Sequence, residues 1–154
     1  MKFAEFQNGQ QIEAGPLLVS ETEIVDFASR FDPQWFHCDP ERAALGRWSG
    51  LIASGWHTCA LAMRLAYEGA LVGSESFGSP GLDYVKWPKP VRPGDALTWR
   101  ATVLDVRRGN SKPDLGILRW RWELLNQSAD VVLDLQATSF FDLGAPTTVA
   151  ATAT

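Results

Sequence analysis

Three runs in the second half of the chain constrain its fold most: Ala96 to Val106, Leu115 to Asn126 and Val131 to Phe141. In the middle run Leu118, Trp120, Trp122 and Leu124 alternate with Arg119, Arg121 and Glu123, and the last run alternates in the same way. A period of two sends apolar side chains to one face and charged ones to the other, which predicts antiparallel strands covered on a single face. Such a sheet needs an apolar element to cover it.

The cover lies upstream. From Gly55 to about Glu68, Trp56, Cys59, Ala60, Met63, Ala66 and Tyr67 recur at helical spacing, and Leu61, Ala62 and Leu65 fill the remaining sides. Only Arg64 and Glu68 offer a polar ridge. A helix apolar nearly all round is a buried one, here roughly 21 Å long at 1.5 Å per residue. One long helix followed by three or four strands predicts an α+β domain in which a curled antiparallel sheet wraps a long buried helix.

Other elements follow from local signals. Gly15-Pro16 before Leu17-Leu18-Val19 predicts a turn and a short strand. Ser20 and Glu23 form a capping-box pattern that starts a helix with Ile24, Phe27 and Ala28 on its buried stripe. Asp39-Pro40 opens a second short helix, which ends at Gly46. Leu82 to Trp87 reads as a strand, and the proline-rich Trp87 to Asp95 as a rigid turn. Residues 1–142 form one domain, and the low-complexity 143–154 is expected to be a flexible tail.

Composition narrows the function. The 154 residues are 45% apolar, enough for one domain with a sizeable core. A net charge of −4, with 14 basic residues that form no block, argues against nucleic acid and anionic membrane as partners. Cys38 and Cys59 make no disulfide framework and have no zinc-type spacing with His37 and His57, so no metal site is expected. The first eight residues lack the apolar core of a signal peptide and no later run is long enough to span a bilayer, which points to the cytoplasm. There is no Walker A run, no Gly-x-Gly-x-x-Gly and no serine elbow.

The chemistry-bearing stretch runs from Phe31 to Thr58. Asp32 and His37 are five residues apart, a spacing that would face them away from each other on a helix. Pro33 pushes Asp32 out of the helical region, so an irregular loop can bring carboxylate and imidazole together as an acid/base pair. The competing assignment is an Asx turn and a loop histidine held by backbone. Ser54 is placed to cap the main helix, and the free N–H groups of its first turn, Gly55 included, can bind an oxyanion. Gly55 is also simply a helix opener. His57 either faces the pocket or packs between helices; Trp48 is a candidate pocket wall; Asp39 reads as a cap. Most of the seven tryptophans read as packing.

With these residues in view the chain resembles the MaoC-type dehydratases, the (R)-specific enoyl-CoA hydratase branch of the hot-dog fold. The match lies in Phe27-Ala28, in Asp32 with His37 and Asp39-Pro40 behind it, in Leu51-Ile52-Ala53-Ser54-Gly55, and in Pro90-Val91-Arg92-Pro93-Gly94-Asp95. With the order of elements, the resemblance spans most of residues 10–142. It implies a single hot-dog domain and a water held between Asp32 and His37, which adds syn across the double bond of a 2-enoyl thioester or leaves in reverse. The Gly55 N–H would stabilise the thioester oxygen as enolate charge develops.

The resemblance further implies an acyl-CoA or acyl-carrier thioester substrate, no cofactor beyond coenzyme A as part of that substrate, and a homodimer or higher homo-oligomer joined through the sheets. Substrate-contact candidates are Trp35, Trp48, Ser54, Trp56 and His57, with Lys86 and Arg92 for coenzyme A phosphates. Arg107, Arg108 and Lys112 are weaker cations of the same kind, and a solvated sheet edge accounts for all five as well. The family's common loop has Asn-Pro where Gln34-Trp35 stand here. Trp56 is bulky beside the amide, so Trp56 or Trp35 is expected to shorten the pocket and favour small or branched acyl groups. The alternatives are a thioesterase with Asp32 or Glu68 activating water, and a non-catalytic acyl-thioester-binding subunit.

Overall fold

The structure, a computed structural model, describes residues 1–144. The chain opens with a 3₁₀ turn, Phe3–Glu5, and strand β1, Gln11–Leu18. Helices follow: α1 Glu21–Phe31, the single turn α2 Trp35–Cys38, α3 Pro40–Ala44 and α4 Gly55–Ala66, which runs on into a π-helical turn, Tyr67–Leu71. The rest is sheet: β2 Ser76–Lys86, β3 Ala96–Arg108, β4 Leu115–Leu125 and β5 Val131–Asp142. All pairings are antiparallel, in the order β1-β3-β4-β5-β2.

The sheet curls around α4, the α+β hot-dog arrangement expected from the alternating runs. Leu97, Trp99, Ala101 and Val103 of β3, Leu118, Trp120 and Leu124 of β4, and Leu133, Leu135 and Phe141 of β5 meet Leu61, Ala62, Leu65 and Ala66 of α4 in one core. Trp99, Trp120 and Trp122 stand edge to face with ring centroids 5.1 to 5.9 Å apart, the geometry that aromatic quadrupoles favour. Tryptophans expected to pack do pack.

Three features differ from the sequence reading. Strand β1 already begins at Gln11 and continues through Gly15-Pro16 as a bulge with a register shift between Ala14 and Leu17, where a turn ahead of a short strand was expected. Strand β2 starts at Ser76, six residues before Leu82, and three register shifts interrupt its pairing with β5. Helix α4 is not covered all round: Trp56 and Met63 are exposed, with Trp56 at 62%, as is Tyr67 just past its end. Its apolar residues face the sheet and α1 and also a side left open.

Local signals decide the helix ends. Ser20 Oγ accepts from the Glu23 N–H at 3.1 Å while the Glu23 carboxylate accepts from the Ser20 N–H at 3.0 Å, the reciprocal capping box that starts α1. Asp39 Oδ1 accepts from the Arg42 N–H at 3.0 Å with Pro40 at the first helical position of α3. Leu143 packs on the core and its N–H donates to Asp114 O at 2.7 Å. Residues 145–154, which hold most of the expected tail, lie outside the described residues.

Candidate active site

The helical hydrogen bonding begun in α1 stops at Asp32, whose φ of −152° and ψ of 67° lie outside the helical region, as the following Pro33 requires. Instead of an irregular loop throughout, the chain restarts at once as the single turn α2, and His37 sits on it. The break between α1 and α2 turns the two elements so that Asp32 Oδ2 lies 3.4 Å from His37 Nε2. An unbroken helix at that spacing would hold them apart.

Both side chains are oriented by third groups. His37 Nδ1 lies 2.7 Å from Ile52 O, and because a carbonyl only accepts, Nδ1 carries the hydrogen. In the neutral ring Nε2 is then a lone pair facing the carboxylate. Asp32 accepts from Ser54 Oγ–H at 2.7 Å on Oδ2 and from Gln34 Nε2–H at 2.8 Å on Oδ1. The Ser54 hydroxyl first, then Gln34 and His37, hold the Asp32 carboxyl below the usual carboxylate range, against the opposing effect of burial. Asp32 is therefore an anion at neutral pH.

With the imidazole neutral, two acceptors 3.4 Å apart have no proton between them. A water molecule can supply one to each and present its oxygen lone pairs outward. A fifth of the Asp32 side chain is still exposed, so solvent reaches the pair.

The segment that carries Ile52 and Ser54 is itself pinned on both sides. The Ile52 N–H donates to Phe36 O and the Ala53 N–H to Val91 O at 2.8 Å, which ties α2 to the proline-rich turn before β3. That turn is closed by Asp95, which accepts from the Arg92 N–H and from Gln127. Ser54, fully buried, caps α4 by accepting from the Trp56 N–H at 3.3 Å, so one hydroxyl serves both the cap and the carboxylate. The Gly55 N–H has no acceptor among the described residues.

His37 and Gly55 line one cavity of about 260 Å³ together with Trp48, Ile52, Ala53, Thr58 and the segment Trp87 to Val91. Of the substrate-contact candidates, Trp48 lies in that wall and the others do not. Ser54 is turned inward to Asp32. Trp35 packs on Gly46 and under the Arg42 guanidinium, bracing α2 against α3. Trp56 stands on the open side of α4, edge-on to Trp87.

His57, two residues past Gly55, points to the other side of the helix. It stacks on Phe27 of α1 with centroids 4.7 Å apart and planes 10° apart, the helix-packing alternative. Burial holds its imidazole below the usual histidine range while Glu23 pulls the other way, and its Nδ1 has no partner among the described residues. Lys86 lies over the Tyr84 ring, and Arg92 donates to Trp48 O at 2.7 Å, which makes it a brace for the 46–50 loop. Glu68 is an exposed partner of Arg64, near the far end of α4 from Gly55.

Trp87, read from the sequence as the join between a strand and the rigid turn, is a site residue that the sequence reading missed. Its indole N–H donates to Gly55 O at 3.0 Å and its ring lies so close to the Gly55 Cα that a Cβ there would be 2.6 Å from Trp87 Cε2. The glycine is needed for this ring; any larger residue would displace it. The Trp-Pro-Lys-Pro run was the available signal, since prolines fix where the tryptophan before them can turn.

Comparison with known proteins adds independent findings. Residues 4–117 match the family model described as MaoC like domain. The chain is 37% identical over 127 residues to the Bacillus subtilis protein YdeM, itself uncharacterized, covering 82% of this chain and 89% of that one. It is 36% identical over 90 residues to 3-hydroxyacyl-thioester dehydratase Z of Mycobacterium tuberculosis, covering 57% of this chain and 60% of that protein. A MaoC-like dehydratase structure from Rhodospirillum rubrum superposes with a TM-score of 0.83 at 35% identity, covering 90% of this chain and 94% of that one.

Proposed function

The chain belongs to the MaoC-like domain family, and on that premise we propose that it is a hydratase/dehydratase, adding water reversibly to a 2-enoyl thioester at Asp32, His37 and Gly55. The observation that carries this reading is the 3.4 Å approach of Asp32 Oδ2 to His37 Nε2, with Nδ1 already committed to Ile52 O and a free Gly55 amide in the same cavity wall.

In this reading a water donates to Asp32 and to His37 Nε2 and turns a lone pair toward C3 of the enoyl group. As its oxygen bonds to C3, the C2–C3 double bond shifts toward the thioester and charge gathers on the carbonyl oxygen, where the Gly55 N–H receives it. One water proton passes to the Asp32–His37 pair as the C3 hydroxyl forms, and a proton from the pair goes to C2. The sum is H and OH added across one double bond, and elimination is the same path reversed. The proton is assigned to the pair and not to either group. No metal or redox cofactor enters, and coenzyme A is present only as part of the substrate.

Strand β2 is an open edge of the sheet with exposed Phe77 and Leu82, and we propose that a second copy of the chain pairs there to form a homodimer. Sedimentation of Leu82→Lys against the unmodified chain checks this, with a shift to monomer expected.

The activity test is crotonyl-CoA followed by enoyl absorbance together with a thiol reagent. Bleaching without thiol release supports the hydratase. Thiol release supports a thioesterase, and tight binding of butyryl-CoA with no turnover supports a non-catalytic acyl-binding subunit. No helix among the described residues is long and apolar enough to cross a membrane.

A further inference from the structure

A second cavity, of about 420 Å³, opens farther along α4. Cys59 and Met63 of the helix face Leu82, Leu135 and Trp122 of the sheet across it, and no charged residue lines it. It shares no lining residue with the cavity walled by His37 and Gly55. Yet Gly55, Cys59 and Met63 are spaced four apart on one stripe of the helix, so the apolar cavity begins roughly 6 Å beyond the amide at 1.5 Å per residue. A chain leaving a carbonyl held at Gly55 and following the helix axis would run into it.

What stands between is the Trp87 indole. It lines the first cavity, lies on the Gly55 Cα, and touches the sulfur of Cys59, which lines the second. It is 42% exposed, and besides these contacts it is held by a hydrogen bond to Gly55 O and an edge contact to the exposed Trp56. Trp35 and Trp56, the bulky residues expected to set the pocket's length, take no part in either wall.

We propose that Trp87 is the specificity-determining residue of this site, a partition that confines bound acyl groups to the small cavity and whose removal joins it to the apolar one. The proposal rests on the reading that the site takes an acyl thioester. The substrates it selects are short acyl thioesters, and the apolar cavity is a reserve for a longer tail that the indole denies. Cys59 and Met63 would form the floor of that longer passage.

The test is the ratio of kcat/KM for crotonyl-CoA over 2-decenoyl-CoA. The unmodified chain is expected to favour crotonyl-CoA by about tenfold or more, since even one methylene in an apolar pocket changes selectivity by that order. Trp87→Ala is expected to bring the ratio to near parity through the KM for the longer substrate, while Trp87→Phe keeps the preference. Adding Cys59→Phe to Trp87→Ala refills the passage and restores it. A parent chain that handles both equally, an unchanged ratio in Trp87→Ala, or no reversal in the double variant overturns the proposal.

Trp87→Leu serves the same comparison if the alanine variant does not fold. If no form hydrates either thioester, the hydratase reading fails by itself, and calorimetric Kd values for butyryl-CoA and decanoyl-CoA decide the partition. Trp87→Leu must then tighten decanoyl-CoA alone about tenfold, and equal tightening of both, or none, overturns it.

Discussion

The sheet and the segment from Phe31 to Thr58 both lean on α4, but they are held by different kinds of contact. In the sheet, Trp99, Trp120 and Trp122 share their burial with the aliphatic side chains of the core, an attraction that has no direction and many substitutes. In the segment, position depends on single hydrogen bonds: Ser54 to Asp32, His37 to Ile52 O, Ala53 to Val91 O. Each has one donor, one acceptor and no replacement. The difference separates stability from chemistry, so substitutions in one region should leave the other's property largely intact.

The largest expected effect breaks that comparison at the site. Asp32→Ala and His37→Ala should each lower kcat on crotonyl-CoA by about 10²–10⁴, the usual worth of a positioned acid/base group, with little change in substrate affinity. Their urea midpoints should stay close to the parent's. Trp120→Ala should do the reverse. Its side chain is fully buried and its N–H donates to Ser139 Oγ at 3.2 Å, so unfolding free energy should fall by about 3–5 kcal/mol while the remaining folded protein keeps its KM.

Ser54→Ala sharpens the comparison, because this one hydroxyl serves both stability and chemistry. As a cap it contributes about 1 kcal/mol to stability. As the leading donor to Asp32 it keeps that carboxyl ionised. A carboxyl depressed in the folded state is competent above its pKa and lost as pH falls through it. Removing Ser54 Oγ should therefore shift the acid limb of the kcat/KM profile upward, toward the ordinary carboxylate range.

The smallest effect is at His57. Its imidazole is held below the usual histidine range by burial, so below about pH 6.5 the unfolded chain takes up a proton that the folded one refuses. Stability should decline from there down to the lowered folded value. His57→Phe, which can keep the stack on Phe27, should flatten that stretch of a urea-midpoint profile against pH. A parent profile already flat there would mean that His57 is not protected from protonation.

Much of this architecture was legible because local and global signals agree. The capping box at Ser20 and Glu23, the Asp39-Pro40 start and the alternation from Leu115 to Phe141 each specify an element alone. The convergence of Asp32 and His37 was legible through Pro33, whose steric effect is strictly local. The first parts of β1 and β2 were not, because Gly15-Pro16 reads as a turn and the stretch with Gly78, Pro80 and Gly81 lacks strand alternation, while the neighbouring strands β3 and β5 hold both through register shifts.

Side-chain direction was the least legible feature. Trp56 and Trp87 look alike in a sequence, yet a glycine without a Cβ lets Trp87 fold over the amide, and the helix turns Trp56 outward. Likewise His57 is two residues from Gly55, but 100° of rotation per residue carries it to the α1 side.

The central claim is that Asp32 and His37 pass water to C3 of an enoyl thioester. Incubating crotonyl-CoA with the protein in ¹⁸O-labelled water and locating the label by mass spectrometry tests it directly. The account predicts label in the C3 hydroxyl of 3-hydroxybutyryl-CoA, with the thioester intact and no such product from His37→Ala. Label in a freed carboxylate, or the same product from His37→Ala at the same rate, would contradict it.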